Sequence, residues 1–157
     1  MERYASMHRK TNETEVTLEL CLDGGERSVS TGVGFFDHML TALAVHSGMD
    51  LTIQAKGDLE VDCHHTIEDT GIVLGQAIRE AVGDKKGIVR YGTCILPMDE
   101  SLVLCSLDLS GRPYLCFDAD FTVDKVGEFD TEMVKEFFYA VSYGSMMNLH
   151  LKKLHGE

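Results

Sequence analysis

The chain has 157 residues, enough for one substantial hydrophobic core or for two small halves packed as one unit. Its net charge of -12 argues against a general nucleic-acid binder, which needs a basic face, although a few convergent arginines can still attract a small anionic substrate. No stretch approaches the roughly 18 uninterrupted apolar residues of a membrane span, and the opening MERYASMHRK turns polar too quickly for a signal peptide. The five cysteines (Cys21, Cys63, Cys94, Cys105 and Cys116) are odd in number and show no CxxC spacing, which reads as reduced, mostly buried thiols of a cytoplasmic protein.

Residues 16–22 alternate apolar and polar side chains. The turn Asp23-Gly24-Gly25 leads to a short strand at 28–31, so the opening reads as a hairpin. The polar stretch before it, 9–14, reads as a solvated strand end. From Gly34 the period changes to that of a helix, with Phe35, Phe36, Met39, Leu40, Leu43 and Ala44 on one stripe and Gly48 as the stop. His38 lies at the polar margin of this helix, where a lone histidine is open to a structural or a functional reading. Residues 51–55 alternate again, and after a turn at 56–58 a strand at 59–63 delivers the adjacent pair His64 and His65. A long amphipathic helix then runs over 66–82, with Ile67, Leu74, Ala77, Ile78 and Ala81 facing inward. Gly71 and Gly75 lie four apart in it; each costs about 1 kcal/mol of helix stability relative to Ala, which suggests a close approach to a sheet.

The window GDLEVDCHHTIED (57–69) carries the chemistry. Glu68 follows His65 by three residues, almost one helical turn, and so lies on the same side. His64 sits at the end of the preceding strand, where its ring can point away from its neighbour's. Two imidazoles and a carboxylate at such a junction are a credible first shell for Zn, Mn, Fe or Ni. By itself the window fits equally well a polar strand-to-helix corner facing water. Strand alternation points Cys63 away from His64.

The second half reads as strands at 88–95, 101–109 and 114–121, a helix at 131–143 with Met133, Val134, Phe137, Phe138 and Val141 as its apolar face, and a strand opening at 149. Laid over the first half, it brings Glu136-Phe137-Phe138 onto His38-Met39-Leu40 and Leu149-His150-Leu151 onto Leu51-Thr52-Ile53. The chain is therefore an α+β tandem pseudo-repeat with halves at 1–87 and 88–157, the second missing its last portion. Such a half implies an unpaired sheet edge or an uncovered apolar sheet face unless a partner covers it.

GFFDHML (34–40), GDLEVDCHHTIEDTGIVLG (57–75), GIVRYG (87–92), PMDESL (97–102) and DLSGRP (108–113), in this order, closely resemble the imidazoleglycerol-phosphate dehydratase family. The resemblance covers 9–156. It implies two sheet-and-two-helix halves of the ribosomal protein S5 domain 2-like fold, assembled into trimer-based homo-oligomers of 24 subunits. It also implies a cytoplasmic lyase of histidine biosynthesis that removes water from D-erythro-imidazole-glycerol phosphate to give imidazole-acetol phosphate. Two Mn2+ per active site are implied, with His38, His64, His65 and Glu68 matching family ligands. Glu13 matches the glutamate that acts as base, Arg90 and Arg112 match arginines that grip the phosphate end of the substrate, and His46 matches a histidine lining the pocket. The histidines that hold metal thereby also face the substrate's imidazole, and Glu68 counts with Glu13 among the catalytic positions.

Two departures stand out. Glu136 occupies the position of a metal-binding histidine in many members; a carboxylate is a legitimate manganese ligand. The family also continues past Gly156-Glu157 with a second HHxxE and a helix bearing a lysine, which these 157 residues do not contain. The expectation is a truncated form with incomplete metal sites and impaired dehydration. The alternative is a non-catalytic assembly fragment that keeps subunit contacts but not complete metal centres.

Overall fold

The computed structural model describes residues 2–157. Its first part is a hairpin of β1 (Tyr4–Lys10) and β2 (Thr14–Cys21), followed by β3 (Arg27–Ser30), α1 (Gly34–Ser47), β4 (Asp50–Gly57) and α2 (His64–Val82). The strands form one sheet in the order β1-β2-β4-β3, antiparallel except for the parallel pair β3 and β4. The expected hairpin of 16–22 with 28–31 does not form, because β4 lies between those two strands. Leu18 and Leu20 pair instead with Ile53 and Leu51, so the fully buried residues of two strands share one face. The parallel pair β3 and β4 is joined through α1, the helical crossover that parallel strands require.

The hairpin partner of β2 is β1, whose polar sequence hides it. In β1 only Ala5 is buried, and its other side chains are exposed or half-buried at the sheet edge. The strand expected at 59–63 is a turn, in which the Val61 N–H donates to the Asp58 carbonyl at 2.8 Å and Val61 stays exposed. The apolar alternation of Leu59 and Val61 does not reflect burial, and the sheet residues end at Gly57.

The second part repeats the plan. It comprises β5 (Tyr91–Met98), β6 (Ser101–Asp108), β7 (Tyr114–Asp118), a small hairpin of β8 (Lys125–Val126) and β9 (Phe129–Asp130), α3 (Met133–Ser145) and β10 (Asn148–His155). Its sheet order is β5-β6-β10-β7, with β10 parallel to β7, so each strand has a counterpart in the first sheet and α3 is the counterpart of α1. The hairpin β8-β9 has no equivalent in the first half, and among the described residues α2 has none in the second.

One face of α2 covers β1 and β2, and the opposite face packs along α3. This corrects the expected role of Gly71 and Gly75, which serve a helix–helix crossing. A Cβ on Gly75 would lie 2.6 Å from the Val141 carbonyl oxygen, one on Gly71 2.9 Å from Ala140 Cβ, and one on Gly144 2.9 Å from the Ile72 carbonyl oxygen. Aromatic edges close the core beside this crossing, with Phe36 and Phe137 at 5.3 Å and Phe35 and Phe129 at 5.5 Å. Among the described residues no helix is long and apolar enough to cross a membrane.

Gly75→Ala should therefore destabilise the protein by about 1–3 kcal/mol, despite the helix propensity it gains. Urea unfolding followed by circular dichroism measures this, and a stabilised variant would show that the helices can part at no cost.

Candidate metal and substrate site

The site begins where β4 gives way to α2. Gly57 is needed there, since a Cβ would collide with the Thr66 side chain packed over it. Asp62 Oδ1 accepts the His64 backbone N–H at 2.8 Å and satisfies one free donor of the first helical turn. His64 and His65 both lie in that turn, so their rings diverge through helical rotation and not, as expected, because His64 ends a strand. The His64 ring reaches across to the start of α3, with Nε2 at 2.9 Å from Glu132 Oε1. The His65 ring turns back, with Nδ1 at 2.9 Å from Asp58 Oδ2. Glu68, one turn beyond His65, is exposed.

Three buried polar atoms here have no hydrogen-bond partner, His64 Nδ1, Asp58 Oδ1 and Thr66 Oγ1, and His64 Nδ1 faces Asp62 Oδ1 at 3.3 Å. Ligand atoms of Cys63, His64 and Asp130 lie within 4.8 Å of one another, close enough to hold a metal. Cys63 thus does not point away from His64, because residues 59–63 are not a strand. Its Sγ lies 3.4 Å from Asp130 Oδ2 as a donor, and burial pushes its thiol pKa up. This thiol is a poorer ligand than the imidazoles until it loses its proton. The donor set fits a divalent metal; which ion it prefers is a separate matter.

Glu13 lies in the turn between β1 and β2, where its N–H donates to Thr11 Oγ1 at 3.2 Å. That turn is tied to α2 through buried Asp69, which accepts a hydrogen bond from Thr14 Oγ1 and pairs with Arg9 Nε at 3.1 Å. The tie keeps Glu13 near the histidines. The His65 pKa is raised chiefly by its hydrogen bond to Asp58, with the charges of Asp58, Glu13 and Asp62 adding to the effect. Asp58, Asp62, Asp69, Asp130 and Glu132 were not anticipated as site residues. The acidic run around the HHxxE was a visible signal for Asp58, Asp62 and Asp69, but nothing local pointed to Asp130 or Glu132.

The remaining expected residues lie elsewhere. His38 and His46 are exposed on α1, and His46 borders an apolar cavity of about 680 Å³ between α1, β5 and α3. Glu136 is exposed in the first turn of α3; Glu132, one turn earlier, is the carboxylate that reaches His64. Arg90 grips Asp108 with both ends of its guanidinium, at 2.6 and 3.0 Å, and stacks 4.9 Å above the Tyr91 ring. Arg112 follows the turn at Ser110 and adds its charge beside Asp108, as does Lys85, whose Nζ lies against Gly111. These cations gather beyond the C-terminal end of α2, whereas the histidines are at its N-terminal end. A helix of 19 residues separates them by about 28 Å.

Residues 31–157 match the family model described as imidazoleglycerol-phosphate dehydratase. The imidazoleglycerol-phosphate dehydratase of Lachnoclostridium phytofermentans is 60% identical over 158 residues, which cover 100% of this chain and 81% of that protein. That of Streptococcus sanguinis is 60% identical over 156 residues, 99% of this chain and 80% of the relative. The crystal structure of the Staphylococcus aureus enzyme superposes with a TM-score of 0.89 at 43% identity, covering 98% of this chain and 85% of that one. The Pyrococcus furiosus enzyme in complex with (S)-C348 superposes with a TM-score of 0.83 at 39% identity, over 96% and 81% of the two chains.

Asp58→Asn should return the His65 titration midpoint toward the ordinary value of about 6.5, read from imidazole NMR shifts. At the other end of α2, hydrogen bonding to Arg90 holds the Asp108 carboxyl below the usual aspartate range. Its stabilisation is complete above about pH 3.9 and is lost as pH falls through the lowered folded-state value. Urea midpoints measured in acid should fall more steeply for the native chain than for Asp108→Asn; parallel curves would remove the pair from the acid response.

Proposed function

The chain belongs to the imidazoleglycerol-phosphate dehydratase family, and on that premise we propose how its residues divide the dehydration of D-erythro-imidazole-glycerol phosphate to imidazole-acetol phosphate. The activity is that of a hydro-lyase in histidine biosynthesis. His64, His65 and Glu68 would hold manganese, with His38 and Glu136 as the corresponding α1 and α3 contributions to two metal positions. Manganese, when bound, supplies Lewis acidity to the substrate's imidazole ring. Support for this comes from the clustering of ligand atoms of Cys63, His64 and Asp130 and from Asp58, which fixes the His65 ring through Nδ1 and leaves Nε2 for another partner.

Glu13 takes the proton from the substrate carbon. The carrying observation is the gathering of Glu13, Asp58 and His65 at the start of α2, fastened by the contacts of Asp69 with Thr14 and Arg9. Arg90 and Arg112 bind the phosphate as guanidinium donors, and His46 faces the substrate. The separation of about 28 Å along α2 supports an active site assembled from more than one subunit, in a homo-oligomer built from trimers and reaching 24 copies. The units 1–87 and 88–157 are the two halves of that subunit. Five free cysteines agree with a reduced, cytoplasmic setting.

Only one HHxxE is contained in these 157 residues, so this polypeptide by itself should bind manganese weakly and dehydrate slowly. Imidazole-acetol phosphate formation, assayed with added manganese, should rise when the chain is extended by the residues that follow the matched stretch in the L. phytofermentans relative; equal rates would defeat this reading. In the extended protein, Glu13→Gln should lower kcat by about 10²–10⁴ while manganese binding, followed by calorimetry, is retained.

A further inference from the structure

The joint between the two halves holds donors that the manganese set proposed above does not use. Cys63 closes the turn before α2, where its carbonyl accepts the Ile67 N–H at 3.1 Å and its side chain makes no capping hydrogen bond. The thiol is left to face β9, and its Sγ lies 3.4 Å from Asp130 Oδ2. Lys125, paired with Asp130 across the β8-β9 hairpin, holds the other carboxylate oxygen, with Nζ 3.3 Å from Oδ1. His64, the next residue after Cys63, supplies a third ligand atom, and the three lie within 4.8 Å of one another. Each ring nitrogen of His64 faces a carboxylate, Nδ1 that of Asp62 at 3.3 Å and Nε2 that of Glu132 at 2.9 Å. Asp62, Asp130 and Glu132 against the ammonium of Lys125 leave this corner attractive to a cation.

We propose that Cys63, His64 and Asp130 form a site for a thiophilic divalent ion, zinc above all, which fastens the start of α2 to β9. Neither Cys63 nor Asp130 belongs to the manganese set, and the chemistry of the donors differs as well. Manganese is the weakest binder among the first-row divalent ions, and a soft thiolate widens the gap in favour of zinc. Tetrahedral zinc takes sulfur at about 2.3 Å and carboxylate oxygen at about 2.0–2.2 Å, which sets those two atoms about 3.5 Å apart. The 3.4 Å between Cys63 Sγ and Asp130 Oδ2 already meets that requirement. The His64 side chain is 39% exposed, so its ring can turn to close the third side without disturbing the core. Water fills the fourth position. On binding, the Cys63 S–H bond breaks, its proton passes to solvent and a sulfur–metal bond forms, with no change of oxidation state. Cys63 and Asp130 are 67 residues apart in the chain, so the ion would brace the two halves as a cross-link does. The inference does not depend on where manganese binds.

The probe is cobalt(II), which enters zinc sites and reports a thiolate ligand through a sulfur-to-cobalt charge-transfer band. Added to the reduced 157-residue chain, it should bind with 1:1 stoichiometry and show this band. One equivalent of zinc should abolish the band, whereas about a hundredfold excess of manganese should leave it in place. Zinc should also raise the thermal midpoint of the native chain, since only the folded state brings the three ligands together. Cys63→Ser should remove the band, and Asp130→Asn should weaken zinc binding by about tenfold or more; if either variant loses its helical circular dichroism, the other decides. Glu68→Gln, which alters the manganese set alone, should bind zinc as the native chain does. A band that survives in Cys63→Ser would place the thiolate elsewhere, as at Cys94 opposite Cys105, and would overturn the proposal. So would the absence of a band, its loss to manganese as readily as to zinc, or a Glu68→Gln variant that weakens zinc as much as Asp130→Asn does.

Discussion

The close crossing of α2 over α3 is the contact on which the rest of the structure depends. Each helix belongs to a different sheet, and the axes approach because Gly71, Gly75 and Gly144 present no side chain at the contact. Glycine is intrinsically poor in helices. Three of them at one crossing are explained by dispersion contacts that only a backbone-to-backbone approach allows. Beside the crossing, the two sheet units also meet through the aromatic edges of Phe35, Phe36, Phe129 and Phe137 and through the contacts of His64 with Glu132 and Cys63 with Asp130.

The same helix organises the chemistry. Its first turn carries His64 and His65, its second carries Glu68 and Asp69, and its C-terminal end approaches the basic group around Asp108. Asp69 faces inward and holds the β1–β2 turn, while Glu68, one residue before it, faces outward and stays free for a ligand. Adjacent residues on a helix differ by about 100°, which lets one acidic residue serve the fold and its neighbour serve the site. Because α2 is rigid and packed on both faces, it also holds the histidines and the arginines apart.

The contrast between the sheets follows from local sequence and global packing acting differently. The inner positions of both sheets are apolar, so each half carries a pattern that asks for a cover. Only the first half meets that demand within these residues. Apolar exposure on β5 and along α1 is therefore a property of the pairing of elements and not of an unusual strand composition.

The sequence by itself determined the three helices, most of the longer strands, the internal repeat and the HHxxE with its flanking motifs. These depend on periodicity and spacing within short windows, where each residue's neighbours are known. The order of strands was not legible, because β4 enters between β2 and β3 through pairing across 24 or more residues, as in Arg27 with Leu51 and Cys21 with Asp50. Nor was β1, whose edge position leaves it with a polar sequence. The parting of the histidine rings was anticipated, but for the wrong backbone. Glu132 and Asp130 became neighbours of His64 and Cys63 only through tertiary packing. Gly71 and Gly75 announced a close approach, and only the packed structure decided that the partner was α3, since a missing side chain records the distance of a neighbour and not its identity.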